Sequence, residues 1–262
     1  MPPIGQGAGV MSLKQLLVAA ALLSLAGCDG PQKAPVQNDP AFDRRLRAYL
    51  LEHPEVIRDA AAKLQAEKAA KARAVLAKAQ PALERDARDF VANPDGRATV
   101  VQFFDYRCPY SRAVAPDVER LIAANRDVRF VFKQYPVFGS ASDYAARAAL
   151  TPQGKSKGLA LHRALMAQKD LNPARTDRIL GQLGLNARDV EAAARDPAIA
   201  EQIADTRELA LKLNLKGTPT FVVAGEVIPG ADIERLETAI ARARASALSS
   251  VGEVLTRNPF GH

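Results

Sequence analysis

The spacing of hydrophobic positions changes character along this chain. From Ala41 to Ala92 the sequence is rich in Ala, Arg, Lys and Glu, with apolar residues at helical intervals. Phe42, Leu46, Tyr49 and Leu50 share one face. Pro54 suits the first turn of a second helix carrying Val56, Ile57, Ala60, Ala61 and Leu64. Leu76, Leu83 and Phe90 then recur seven apart, a short heptad-like stripe that Pro81 would kink. That stripe fits a helix packed on its own domain and an oligomerisation stalk equally well. From Ala98 the period shortens: Ala98–Asp105 reads as a strand, Cys108 to about Ala124 as a helix with Pro116 inside it, and Val128–Lys133 as a second strand. A strand–helix–strand unit favours a parallel pair with a right-handed crossover. Residues 141–214 read as helical, punctuated at Pro152, Gly154, Pro173, Gly184 and Pro197. Two short strands, Thr220–Ala224 and Glu226–Ile228, meet at a tight turn at Gly225, and Ala231 to about Ser246 closes as a helix. The expected class is α/β: βαβ, a helical insertion, then ββα, preceded by a helical segment.

The N-terminus has the pattern of an export signal, expected over residues 1–27. Met11-Ser12-Leu13-Lys14 is a short basic start, and Gln15–Leu25 is almost wholly apolar. That run is about half a membrane span, the length of a signal core. Met1–Val10 is uncharged and rich in Pro and Gly, which leaves Met11 as an alternative start. Leu25-Ala26-Gly27-Cys28 resembles a bacterial lipobox, which implies lipidation of Cys28; the alternative is ordinary secretory cleavage nearby. Asp29 resembles an inner-membrane retention signal. Residues 28–40 read as a flexible tether, 41–92 as an N-terminal helical segment, 93–247 as the main domain and 248–262 as a tail. The protein is expected to face the periplasm, held at the inner membrane by its lipid.

Composition narrows the function. Hydrophobic residues make up 48% and charged residues 25% of 262, which suits a globular domain with a real core. The net charge of +7 is spread along the chain without a basic, aromatic-interleaved block, so nucleic acid is not expected as a partner. Three histidines and two distant cysteines offer no metal-ligand cluster, and no cofactor is expected. Exported proteins meet an oxidising compartment, where disulfides persist. With Cys28 taken by lipid, Cys108 is the only thiol left.

Cys108 sits where a strand gives way to a helix, in Phe103-Phe104-Asp105-Tyr106-Arg107-Cys108-Pro109-Tyr110-Ser111. A helix N-terminus offers unpaired N–H groups and a positive dipole end, both of which favour thiolate over thiol. Pro109 at a helix start argues for an accessible sulfur. The position three residues on, where a redox pair carries its second cysteine, holds Ser111.

This order of elements resembles the DsbA-like branch of the thioredoxin superfamily, in which a helical domain interrupts a thioredoxin fold. The Cys108 motif and Gly217-Thr218-Pro219-Thr220-Phe221 carry the resemblance, with Asn93-Pro94-Asp95-Gly96 and Val227-Ile228-Pro229-Gly230-Ala231 in support. The segment Phe42–Leu64, with Tyr49-Leu50-Leu51-Glu52-His53-Pro54-Glu55-Val56-Ile57, resembles the N-terminal domain of ScsC-type proteins linked to copper tolerance. The resemblance implies a cis bond at Thr218-Pro219, a loop facing Cys108, and self-association through the N-terminal segment. It implies thiol-disulfide chemistry on cysteine-containing envelope proteins or glutathione-like thiols.

Ser111 departs from the family pattern and restricts that chemistry. A lone Cys108 cannot store an internal disulfide. Shuffling of substrate disulfides, release of glutathione or sulfenic acid from single cysteines, and covalent trapping remain open. The Ser111 hydroxyl is expected to donate to the thiolate, Arg107 to add positive charge and Tyr110 to shape access. Two other readings stand beside this one: a non-catalytic binding module using the surface around Thr218 and Tyr110, and copper handling by Cys108 thiolates of several chains.

Overall fold

The computed structural model describes residues 39–256. The signal segment, Cys28 and nearly all of the tether therefore lie outside the described residues. Contacts divide the chain after Ala61.

The first unit holds α1 (Pro40–Glu52) and the beginning of α2 (Glu55–Glu84). Asp39 caps α1 by accepting from the Ala41 N–H at 2.9 Å, and Pro40 occupies the first helical position. Phe42, Leu46 and Tyr49 are exposed on it, as are Val56 and Ile57 on α2. The Tyr49 ring lies 4.5 Å from that of His53.

The second unit is built on a five-stranded sheet in the order β1-β3-β2-β4-β5. Its strands are β1 (Phe90–Ala92), β2 (Ala98–Phe104), β3 (Val128–Gln134), β4 (Thr220–Val223) and β5 (Glu226–Pro229). β2 and β3 run parallel from Ala98↔Val128 to Phe104↔Gln134, joined across α3 (Pro109–Ala124), as the strand–helix–strand pattern requires. β4 lies antiparallel to β2, with Phe103 opposite Thr220, and the β4–β5 turn uses positive φ at Ala224 and Gly225.

Residues 140–212 form five helices: α4 (Ser140–Leu150), α5 (Pro152–Met166), α6 (Pro173–Gln182), α7 (Ala187–Ala193) and α8 (Pro197–Lys212). Thr151, Asn172, Asn186 and Asp196 each accept a first-turn N–H, so α5 to α8 begin on side-chain caps. α9 (Ile233–Thr256) closes the unit and continues past Ser246.

Alternation along the strands makes two cores. Val100, Phe104, Phe130 and Phe132 pack with Val118, Leu121, Leu236 and Ile240. Val101, Phe103, Val131 and Val222 pack on the other face with Leu209, Ala210, Leu76 and Leu83. The heptad-like stripe thus resolves into two parts. Leu76 and Leu83 lie buried on the sheet, and α2 runs through Pro81 to Glu84. Phe90 is not on that helix. It opens β1 and pairs with Phe132 on β3, an edge strand missing from the sequence reading of 41–92 as helical.

Candidate functional site

The site is assembled at the C-terminal ends of β2 and β3, where connecting segments of parallel strands converge. Cys108 is the N-cap residue of α3. Unlike the residues that begin α5 to α8, it makes no side-chain capping bond. Pro109 follows at the first helical position, and the Arg112 N–H reaches the Cys108 carbonyl at 3.0 Å. The first-turn dipoles therefore meet the Cys108 turn with no oxygen cap between.

The sulfur faces the other motif. The Thr218-Pro219 bond is cis, and the Cys108 Sγ–H donates to the Thr218 carbonyl at 3.0 Å. Pro219 in turn accepts the Gly230 N–H at 2.8 Å, and Thr220 Oγ1 donates to the Gly217 carbonyl at 2.7 Å. Two motifs 110 residues apart are thus joined at one sulfur-to-carbonyl contact.

Access is narrower than the sequence suggested. Cys108 is only 2% exposed, although Arg107, Pro109 and Tyr110 around it are exposed. The Thr218 carbonyl is one of the groups that lie against the sulfur. Ser111 is fully buried and its Oγ has no hydrogen-bond partner, so it does not bond the sulfur in the thiol form. The Arg107 guanidinium is engaged on the loop after β3, its Nη1 donating to the Phe138 carbonyl at 2.7 Å. Tyr110 stands out at 68% exposure. Thr218 Oγ1 is buried and without a partner.

One residue of the motif was passed over at the sequence level. Asp105 is buried, and its carboxylate accepts from the Arg107 N–H at 2.7 Å, the Ser142 hydroxyl at 2.8 Å, and the Val137 and Phe138 N–H groups at 2.7 and 2.9 Å. It joins the Cys108 turn to the connection after β3. The available signal was topological: parallel β2 and β3 bring their following loops together.

Beneath these loops the two sheet faces differ. On one face the Lys133 ammonium pairs with Asp89, both buried, and donates to the Ala82 carbonyl at 2.6 Å. Burial pushes the Asp89 carboxyl up from its ordinary range, against the pull of Lys133. On the other face His162 lies among the rings of Phe104, Tyr106 and Phe132, 4.8 to 5.6 Å away. Burial alone lowers its pKa to about 3, so it stays neutral. The Tyr106 phenol, held by Gln134 at 3.1 Å, is pushed up by burial.

A thioredoxin fold with a helical insertion, a cysteine at the first helix start and a cis proline loop across from it is the frame of thiol-disulfide oxidoreductases of the DsbA and ScsC kind. The chain belongs to the DSBA-like thioredoxin domain family, which matches residues 99–241. Residues 41–71 match the copper resistance protein ScsC N-terminal domain. A thioredoxin-like oxidoreductase from Silicibacter pomeroyi DSS-3 is 38% identical, with a TM-score of 0.60 over 63% of this chain and 97% of that one. A linker-deletion variant of Proteus mirabilis ScsC is 25% identical, with a TM-score of 0.62 over 83% of this chain and all of that one. Among curated proteins, a Na(+)/H(+) antiporter NhaA 3 of Salinispora tropica is 32% identical over 166 residues. The match takes in 61% of this chain and spans a quarter of the antiporter's length. Among the described residues no helix is long and apolar enough to cross a membrane.

Proposed function

We propose that this protein is a periplasmic thiol-disulfide exchange protein that works with one cysteine. The observation that carries the reading is the contact of Cys108 Sγ with the Thr218 carbonyl at 3.0 Å, in a chain with serine at position 111. An extended substrate segment pairing with the backbone at Thr218 would bring its own sulfur over Cys108. The Cys108 thiolate then attacks a disulfide R–S–S–R′, forming Cys108–S–S–R and releasing R′–S⁻. With no second thiol in the motif, a thiol from outside or from the substrate must expel Cys108 and restore it. Cysteine-containing envelope proteins and glutathione-like thiols are the substrates this chemistry takes. The unpartnered Ser111 hydroxyl is free to donate to the thiolate once the proton shared with Thr218 has gone. Lipidated Cys28 would tether the protein, and the exposed Phe42, Leu46 and Tyr49 of α1 would serve self-association.

The near-complete burial of Cys108 favours one competing reading, a binding module in which the thiol is incidental. Capture decides between them. Native full-length protein is incubated with cell-envelope extract, quenched with acid and run without reductant, beside Cys108→Ala. Reductant-sensitive adducts in the native protein, absent in Cys108→Ala, are expected. If native Cys108 takes no partner and resists alkylation while Cys108→Ala retains full holdase activity, the binding module is the function.

A further inference from the structure

Asp105 has a burden that its place in the fold does not explain. A buried carboxylate is stable only where donors replace its water, and no cation pairs with this one among the described residues. Its four donors come from three places: the Cys108 turn through the Arg107 N–H, the start of α4 through Ser142, and the loop between β3 and α4 through the Val137 and Phe138 N–H groups. The same loop is held from outside by Arg107 Nη1 on the Phe138 carbonyl, and Arg207 Nη2 reaches the Pro136 carbonyl at 3.2 Å. With its backbone fixed this way, the loop turns its side chains outward: Val137 is 48% exposed and Phe138 44%. The loop that bears them is bonded to the Cys108 turn through Arg107 and Asp105. Two apolar side chains on a loop so firmly tied cannot fold inward to escape water.

We propose that Asp105 is a positioning residue: through its four hydrogen bonds it locks the loop after β3 against the Cys108 turn, holding Val137 and Phe138 out as apolar contacts for the chain that flanks a substrate's reacting sulfur. This rests on the exchange reading of Cys108, which supplies the substrate. The partner is a polypeptide whose cysteine has apolar neighbours. A flank that hides roughly 50 Å² of apolar surface on this platform gains about tenfold in capture rate over a polar flank. Asparagine at position 105 keeps the volume but turns an amide NH₂ toward N–H donors, leaving at least one buried donor without an acceptor.

The test compares two short peptides, each carrying one cysteine as a glutathione mixed disulfide, flanked by Leu and Phe in one and by Ser and Gly in the other. The readout is the ratio of their rates of transfer to Cys108 in full-length protein. In the native protein the ratio is expected at about ten. In Asp105→Asn, and in Val137→Ser combined with Phe138→Ser, it falls to within about twofold. A merely structural role for Asp105 would slow both peptides alike and leave the ratio standing, which overturns the proposal. So does a native ratio near one. Hydrogen exchange at the Val137 and Phe138 amides is read in parallel. It is expected to speed up in Asp105→Asn, and unaltered exchange overturns the tether whatever the thiol does. Failure of native Cys108 to react even with oxidised glutathione sinks the exchange reading instead.

Discussion

At the scale of single residues, position 111 decides what this site can do. The sulfur of Cys108 and the hydroxyl of Ser111 belong to the same first turn of α3, one at its cap and one buried beneath it. A second thiol in that turn would attack a mixed disulfide from within, where effective molarities reach ~10⁵ M or more. An external thiol at millimolar concentration cannot compete with that. Ser111→Cys is therefore expected to shorten the life of the glutathione mixed disulfide on Cys108 by at least about a hundredfold. Timed quenching and mass measurement of the intact protein reads this directly, and an unchanged lifetime would show that position 111 does not reach the sulfur. The chemistry of this turn was legible in the sequence, because Cys108-Pro109 ends an apolar strand and opens a helix, which sets the sulfur at the positive end of the helix dipole. The cover over the sulfur was not. Part of it is Thr218, whose approach depends on β4 pairing with β2, a contact between residues more than a hundred positions apart.

At the scale of elements, the strands and helices of the second unit followed from their periods, while the short and mixed pieces did not. Ala98–Phe104 and Val128–Gln134 are seven residues each, long enough for their β-branched and aromatic residues to declare them. β1 has three residues, Phe90–Ala92, and only its pairing with β3 makes it a strand. The seven-residue spacing of Leu76, Leu83 and Phe90 pointed to one helical face, yet Leu83 ends on the sheet and Phe90 in the sheet's edge. Phe90 also accounts for a glycine. α5 bends at Gly158, where φ is +47, and a Cβ there would lie 2.7 Å from the Phe90 ring. Gly158→Ala meets both a left-handed backbone and that ring. It is expected to cost about 2–3 kcal/mol in urea unfolding, and a loss under about 0.5 kcal/mol would mean that the helix and β1 separate easily.

At the scale of the whole molecule, two buried titratable groups pull the stability of the second unit in opposite directions as pH falls. His162 is neutral in the fold, with a pKa of about 3, against 6.5 unfolded. The unfolded chain takes up that proton first. The contribution of His162 to stability is therefore complete above about pH 6.5 and drains away as pH falls toward 3, by about 1.4 kcal/mol for each unit. Asp89 has the reverse sign. Its carboxyl is raised by burial, so the native state accepts a proton more readily than the unfolded one, and acid favours the fold through that group. The two effects are separable by substitution. His162→Phe keeps a ring among Phe104, Tyr106 and Phe132 and removes the proton uptake. Between pH 7.5 and pH 4.5 the native protein is expected to lose about 2–3 kcal/mol more than His162→Phe in urea unfolding. Equal losses in the two proteins would mean that water or a donor reaches the His162 ring. A larger loss in His162→Phe would mean that protonation of His162 favours the fold, the reverse of the sign expected from its burial. Removing one member of the Asp89–Lys133 pair is the harsher change: Lys133→Ala takes the paired ammonium from buried Asp89, leaving it the Gln202 amide as a donor, and is expected to cost about 3–5 kcal/mol, part of which returns when Asp89→Leu is added.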